Sequence, residues 1–267
     1  MGYQGPPLSA HVDIETQQWV RRMRWEKSPA ELDLLRESAR WTNLAHRYLT
    51  EQTAVGAHPV TASQRASTEA SRAMLDALGD RYVPRTRGMG PAHAGYITGP
   101  QTRLPHGHTA NRRLEAGDVL VTGATATVDG YGVELERTMF LGEPSDEQAH
   151  YFELMLEAQS IAIEELGPGA PIAAVDDAVT AYFDEQGVGE LVQHHVGHNI
   201  GLDGHEPPPT STAGGPTTAR PSTPATTQTT PSCGQEPSGR SNPDSTPTRR
   251  AIATPIPSPS PTTGSSG

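Results

Sequence analysis

The chain has 267 residues with 31 acidic and 20 basic side chains, a formal net charge of −11, and one cysteine, Cys233. This balance offers no basic surface for phosphate, so nucleic acid is not expected as a partner, and one cysteine excludes a disulfide framework or a cysteine metal site. No apolar run approaches membrane-spanning length or precedes a cleavage site, so we expect a soluble cytoplasmic protein without membrane contact.

The first part of the chain is predicted to be helical. Ser28 and Pro29 have the residue types of an N-cap and a first helical position, so a helix is expected to begin there. Its apolar stripe would comprise Leu32, Leu35, Ala39, Thr42 and Leu49. A second helix, "TASQRASTEASRAMLDALG", ends at Gly79, and "AHAGYITGP" follows as a short strand closed by Gly and Pro.

A β-hairpin and two more helices follow. The segment "DVLVTGATATVDGYGVELERTMFLG" predicts the hairpin, with Asp129 and Gly130 as turn residues that tolerate positive φ. Ser145 and Gln148 have the spacing of a capping box for the next helix, and Gly187 ends the last one. Long helices around a hairpin, without βαβ alternation, indicate an α+β fold.

The second hairpin strand carries two carboxylates on one face. Side chains alternate along "VELERTMFLG", so Glu134 and Glu136 point to the same side, roughly 7 Å apart. On a strand that faces a cleft, such a pair could bind a metal, act as an acid/base couple or clamp a cationic substrate. An exposed strand would leave Glu136 paired with its neighbours or with solvent.

The densest group of chemically active residues is "HHVGHNIGLDGHEPP", residues 194–208. It contains four histidines and two carboxylates, separated by glycines that allow tight turns or a close approach to a ligand. Imidazole is a common metal ligand and the usual acid/base group near neutral pH. Any one of these histidines could simply form hydrogen bonds in a polar loop, but the group together indicates a functional site.

Residues 207–267 differ in composition from the rest of the chain. They contain 14 Pro and 24 Ser or Thr, and their only large aliphatic residues are Ile252 and Ile256. Such a segment cannot bury enough apolar surface to offset the entropy lost on ordering, so we expect it to be disordered.

Three motifs together resemble one family. "LPHGHTANRRLEAGDVL", "DGYGVELERTMFLGEPSDEQ" and "GHNIGLDGHEPP" are similar, in order and spacing, to the pita-bread family of aminopeptidase P, prolidase and creatinase. The likeness covers about residues 27–208. It implies a pseudo-symmetric sheet wrapped by helices, with an active site on the concave face toward which Glu134 and Glu136 point.

The resemblance also implies roles for individual residues. His106 matches a histidine that contacts the substrate near the scissile bond, and His205 matches one beside the substrate's carbonyl. His198 matches a histidine metal ligand, and Glu134 stands at the position of the second metal-binding aspartate. Together they imply a hydrolase that uses a divalent metal.

The implied metal set is incomplete. Gly123 stands where the resemblance expects the first metal-binding aspartate, and two glutamate ligands of the family's last strands have no counterpart. A two-metal hydrolase needs carboxylates that bridge ions about 4 Å apart. We therefore expect an incomplete site for a divalent ion, with Mn, Co, Zn and Fe as candidates, and fewer than one tightly held ion per chain.

Creatinase offers a second interpretation because it keeps the fold without metals. Glu136 in "LERT" matches a substrate-binding glutamate there, and a histidine equivalent to His106 acts as acid/base on a guanidino substrate. A carboxylate and a guanidinium group form a charge-assisted pair, which suits this strand. Glu134 departs from creatinase, which has a small residue at this position.

The resemblance divides the chain into three expected parts. Residues 1–27 would be the remnant of an N-terminal domain or a leader, residues 28–208 an incomplete pita-bread domain, and residues 209–267 the disordered tail. The tail is either a genuine linker or an out-of-frame translation of the missing strands. Its dominant residues, Pro, Thr, Ser, Ala, Gly and Arg, have codons with C or G in the second position.

The leading functional hypothesis is an Xaa-Pro aminopeptidase or dipeptidase, impaired in this chain, with His106, His205 and Glu136 as the candidate catalytic residues. Two alternatives stay open. One is a metal-independent, creatinase-type amidinohydrolase, and the other is an inactive pita-bread domain that binds peptides or proteins. The expected partner is a small peptide or guanidino substrate, and a homodimer is a further possibility.

Overall fold

A computed structural model describes residues 19–84 and 90–206. The predicted tail, residues 209–267, and most of the predicted N-terminal part, residues 1–27, lie outside these ranges. The described residues all belong to one of two compact units of the chain, residues 1–222.

Five helices and three strands make up the described part of the chain. The helices are α1 (Trp19–Trp25), α2 (Pro29–Glu51), α3 (Pro59–Leu78), α4 (Asp146–Glu165) and α5 (Ile172–Glu185). The strands are β1 (Ala92–Thr98), β2 (Val119–Val128) and β3 (Tyr131–Phe140). This mixture of long helices and a small sheet confirms the predicted α+β class. Within the described ranges, no helix is long and apolar enough to cross a membrane.

The three strands form an antiparallel sheet in the order β1-β2-β3. The predicted hairpin turn between β2 and β3 is confirmed, with Asp129 at φ 49° and Gly130 at φ 94°. Turns of this kind need positive φ at both central residues and match the twist of the flanking strands. The turn therefore fixes which residues of β2 and β3 face each other.

One face of the sheet packs against α2 and α3. Leu120, Thr122, Ala124 and Ala126 of β2 point to this side and are buried. Because side chains alternate along a strand, the residues between these on β2, and their partners on β3, point to the opposite face. Across that open face the register places Thr125 opposite Glu134 and Gly123 opposite Glu136.

Serine and threonine hydroxyls attach the two long helices to the sheet. On α3, Ser63, Ser67 and Ser71 recur every fourth residue and bond to the backbone of β1 at Ala92 and Ala94. These bonds occupy backbone groups that an edge strand would otherwise leave open. The helix α3 therefore covers this edge of the sheet.

The predicted start of α2 is confirmed. Ser28 is the N-cap, and its side chain and that of Glu31 complete a capping box. The predicted apolar stripe is confirmed at Thr42 and Leu49, which are buried, but Leu32 is 39% exposed. The Ser38 hydroxyl bonds to the hairpin backbone and the Glu31 carboxylate accepts a hydrogen bond from the Tyr131 hydroxyl, so this side of α2 faces the sheet while Leu32 lies on the side that faces away.

Helices α4 and α5 pack on each other around a small core of their own, formed by Ala158, Ala162, Val175 and Val179. The predicted capping box of Ser145 and Gln148 is confirmed, as is the helix stop at Gly187, where φ is 72°. Phe152 of α4 meets Phe140 of β3 edge to face, with ring centroids 5.4 Å apart. This aromatic contact joins the helix pair to the sheet.

Candidate active site

Three of the predicted site residues meet on the open face of the sheet. The carboxylate Oε2 of Glu134 lies 3.5 Å from Nε2 of His198. The imidazole of His198 stacks on that of His205, with ring centroids 3.7 Å apart and 23° between the planes. One donor atom from each of the three residues lies within 4.8 Å of the other two.

A short turn explains why two histidines seven residues apart come together. Asn199 and Glu206 form an isolated antiparallel bridge, and the Glu206 N–H donates to the Asn199 carbonyl over 2.9 Å. The bridge folds the intervening segment back on itself, so His198 and His205 lie beside each other. The Gly132 N–H donates to the Gly201 carbonyl over 2.9 Å and attaches this turn to β3.

His106 reaches the same region through a row of imidazoles. Its ring lies 5.2 Å from that of His194, which lies 4.0 Å from that of His195. The ring of His195 lies 6.1 Å from that of His198, where the stack with His205 begins. Thus the structure brings His106 to the far end of a continuous row, away from Glu134.

Local charge and burial act on the middle of this row. Burial lowers the pKa of His195, and the nearby imidazoles of His194, His198 and His205 lower it further when they are charged, against the opposing effect of Asp176. The Asp176 carboxylate on α5 also accepts the Val196 N–H over 3.2 Å. The loop is therefore held from α5, and His195 is biased toward its neutral form.

Glu136 is not brought into this cluster. Among the described residues, the group of potential metal ligands contains Glu134 but not Glu136. The Glu136 carboxylate lies over Gly123, where a Cβ atom would be 3.9 Å from its Oε1. Position 123 has no carboxylate, and Glu136 does not supply one to the clustered ligands.

A histidine outside the three sequence motifs lies on the same face. His93 of β1 is opposite Thr125, which in turn is opposite Glu134, so the three residues form one row across the sheet. Its Nδ1 lies 3.2 Å from the Ser67 hydroxyl, and burial lowers the pKa of His93. The alternation of "AHAGYIT", with Ala92 and its alternate neighbours turned inward, was the sequence signal for this placement.

The sequence also missed a buried carboxylate behind the cluster. Glu206 is 5% exposed and receives hydrogen bonds from Lys27 and Arg24. Burial alone would raise the pKa of Glu206, but these bonds outweigh it and the pKa lies below its usual value. Glu206 lies 179 positions along the chain from Lys27 and 182 from Arg24. No sequence pattern relates residues at such separations, so these contacts could not be found from spacing.

A small cavity lies beside Glu134. It has a volume of about 360 Å³ and is lined by Thr125, Thr127, Gly130, Gly132, Glu134, Gly201, Leu202 and Gly204. Four of these residues are glycines, and a Cβ at Gly204 would lie 3.2 Å from Oε1 of Glu134. The glycines therefore leave room for a ligand next to the carboxylate.

The clustered residues fit one divalent ion and not a pair. One carboxylate and two imidazoles provide the oxygen and nitrogen donors that Zn²⁺, Mn²⁺, Co²⁺ and Fe²⁺ accept. A pair of ions needs bridging carboxylates, and the described residues bring only Glu134 to the cluster. The expectation of an incomplete ligand set agrees with this arrangement.

Comparison with known proteins identifies the family. The sequence profile of metallopeptidase family M24 matches residues 33–230, more than half of the chain. An Xaa-Pro dipeptidase of Pyrococcus horikoshii is 35% identical over 111 residues, which cover 42% of this chain and 32% of that protein.

Solved structures confirm the fold. The prolidase of Pyrococcus furiosus has a TM-score of 0.62 at 23% identity, covering 72% of this chain and 53% of that one. An Xaa-Pro dipeptidase of Bacillus anthracis has a TM-score of 0.62 at 25% identity, covering 75% and 54%. This chain spans about half the length of these solved relatives, and its fold is the pita-bread fold. By the family match, the chain belongs to metallopeptidase family M24.

Proposed function

We propose that the chain carries the site of an Xaa-Pro peptidase, which hydrolyses the amide bond before proline in short peptides. The observation that carries this proposal is the cluster of Glu134, His198 and His205, whose donor atoms lie within 4.8 Å of one another. Membership of family M24 and the relatives named Xaa-Pro dipeptidase support it.

The three clustered side chains would hold one divalent ion, with Mn, Co, Zn and Fe as the candidates. An ion there would polarise the substrate's carbonyl and lower the pKa of a water molecule. Three protein donors leave coordination positions free for water and substrate, as in catalytic metal sites generally. This assignment makes His205 a ligand, whereas the resemblance implied contact with the carbonyl.

His106 is assigned to proton transfer. Its imidazole is exposed and lies at the other end of the histidine row, so it stands outside the ligand group. It is not one of the clustered donors, so proton transfer by His106 would not compete with binding of the ion. A single ion in place of two predicts slow turnover, because it stabilises less of the charge that develops in hydrolysis.

The two alternatives have less support. A creatinase-type reaction would use Glu136 to hold a guanidinium group, but Glu136 stands apart from the clustered donors, and the relatives described above are named Xaa-Pro dipeptidase or prolidase. A domain that only binds peptides would show no turnover at all. Assembly as a homodimer stays a prediction, which mass measurement in solution would test.

The test is a metal titration followed by a turnover assay. Dialysed protein should bind one Co²⁺ or Mn²⁺ per chain, and the metal-supplemented protein should hydrolyse an Xaa-Pro dipeptide but not creatine. His198→Ala and His205→Ala should lose the ion. His106→Ala should keep the ion and lose turnover.

A matched control is His150→Ala on α4, whose ring meets Tyr151 away from the cluster. It should behave as the unaltered protein in both assays. Two retained ions per chain, creatine hydrolysis, or full metal affinity in His205→Ala would each contradict the proposal.

A further inference from the structure

Two basic residues reach the site from outside the region that matches the family. Arg24 on α1 and Lys27 both precede residue 33, where the match to family M24 begins. Lys27 is the only lysine of the chain. Its side chain is 7% exposed, and its Nζ lies 2.7 Å from Oε2 of Glu206.

The carboxylate of Glu206 has partners on both oxygens. Oε1 accepts hydrogen bonds from Nε and Nη2 of Arg24, over 3.1 and 2.7 Å, and from the Leu202 N–H over 3.1 Å. Arg24 also forms an ion pair with Asp203. Two cations thus meet two carboxylates, and this balance allows Glu206 to remain charged although it is buried.

The same carboxylate fills the inside of the turn that carries the histidines. A Cβ atom at Gly201 would lie 2.7 Å from Oε1 of Glu206, so only glycine leaves room for the carboxylate there. Glu206 is also one end of the bridge to Asn199. The position of the carboxylate therefore determines how the turn from Asn199 to Glu206 folds.

We propose that Arg24 and Lys27 are positioning residues, which set His205 against His198 and Glu134 by holding Glu206. His205 directly precedes Glu206 in this turn, and its imidazole stacks on that of His198. When the cations hold Glu206 inward, its neighbour His205 is directed outward to the stack. The consequence for metal affinity rests on the proposed function, but the placement of His205 does not.

The test uses the full-length protein and three variants of the pair. Lys27→Met removes the cation and keeps the side-chain length, and Lys27→Arg restores the charge. Arg24→Gln removes the second cation and leaves Lys27 in place. The control is Arg36→Met, because the ion pair of Arg36 with Asp33 is exposed and far from the turn.

The first measurement is the rate at which diethyl pyrocarbonate modifies each histidine, read by mass spectrometry. In Lys27→Met, His205 and His198 should react several-fold faster, while His46 and His150 react at the unaltered rate. Arg24→Gln should give a smaller increase at the same two residues. Lys27→Arg and the control should match the unaltered protein.

The second measurement is the dissociation constant for Co²⁺ alone. Residues that orient metal ligands typically change affinity by about 10–100-fold when replaced, so Lys27→Met should weaken binding at least about tenfold. A general loss of structure would instead speed modification of every histidine, including His46, whose ring is bonded to Thr122.

Each outcome decides the proposal. Unchanged rates at His205 in both Lys27→Met and Arg24→Gln would overturn it, as would equal increases at all histidines in Arg24→Gln. If Lys27→Met does not fold, the rate at His205 in Arg24→Gln decides. If the unaltered protein binds no Co²⁺, the proposed metal role fails while the histidine rates still test the positioning.

Discussion

Replacing Gly123 with aspartate should tighten metal binding. Gly123 lies on β2 opposite Glu136, on the face that also carries Glu134. A Cβ there would lie 3.9 Å from Oε1 of Glu136, an ordinary van der Waals contact, so the backbone leaves room for the first atom of a side chain. Gly123→Asp would add the second carboxylate that the clustered ligands lack.

The magnitude has two opposing parts. Two like charges about 4 Å apart repel by about 1 kcal/mol in water and more where water is excluded. Glu136 is exposed, so we expect the metal-free variant to lose about 1 kcal/mol of unfolding free energy. An added ligand should tighten metal binding at least about tenfold, which corresponds to about 1.4 kcal/mol.

The assay is thermal or urea unfolding with and without Co²⁺. Well above both dissociation constants, tenfold tighter binding stabilises the variant by about 1.4 kcal/mol more than the unaltered protein, which exceeds the expected repulsion of about 1 kcal/mol. Gly123→Asp should therefore be less stable than the unaltered protein without metal and more stable at saturating Co²⁺. A reversal in which of the two proteins is more stable would identify metal coordination by the new carboxylate.

Gly123→Asn is the matched control because it has the same shape without the charge. It should show neither the repulsion nor the gain in metal affinity. The reasoning would be refuted if the aspartate variant bound Co²⁺ no more tightly than the asparagine variant. In that case the side chain at position 123 would not reach the ion.

Three further predictions concern stability. Hydrogen bonds from Tyr131 and Ser28 lower the pKa of Glu31 to about 2 from 4.5, so its contribution is fully present above pH 4.5 and is lost as the pH falls toward 2; Glu31→Gln should flatten the pH dependence of urea unfolding in that window. Leu49 is 1% exposed, and Leu49→Ala should cost about 2–5 kcal/mol in the same assay, unlike a change at exposed Leu32. Asp129 has φ 49°, so Asp129→Val should lower the melting temperature while Asp129→Gly should not, and equal effects would contradict a requirement for positive φ.

Signals that span a few residues were read correctly from the sequence. The capping box at Ser28, the turn at Asp129 and the helix stop at Gly187 are each specified by local backbone chemistry. Alternation alone also predicted that Glu134 and Glu136 share one face of the strand, as the register shows. These features could be predicted because each depends on the conformational preferences of neighbouring residues.

Features that depend on packing between distant segments were not predicted. The exposure of Leu32 depends on which side of α2 packs against the sheet, which helical periodicity alone does not define. Glu136 shares a strand face with Glu134, yet both residues that join Glu134 in the cluster, His198 and His205, come from the histidine loop. Lys27 and Glu206 are 179 positions apart, and only the folded chain brings them together.

A chain that begins at Ser28 tests whether the segment before the family match belongs to the functional unit. This variant keeps the helix cap of α2 but lacks Arg24 and Lys27, so Glu206 loses both cations and the cover that they provide. Removing the partner of a buried charge costs about 3–5 kcal/mol, and the shortened chain should lose stability up to that size at neutral pH, because water reaches part of the uncovered carboxylate. In the full-length chain the pKa of Glu206 lies below 4.5. Its ion pairs therefore stabilise this chain above that pH, and they stabilise it less as the pH falls. In the shortened chain burial raises the pKa of Glu206 instead, so protonation relieves the cost and the two stabilities should converge as the pH falls through about 4.5.

Urea unfolding of both chains across this range measures the difference, and a difference that is constant with pH would show that the lost stability comes from contacts of α1 other than those with Glu206.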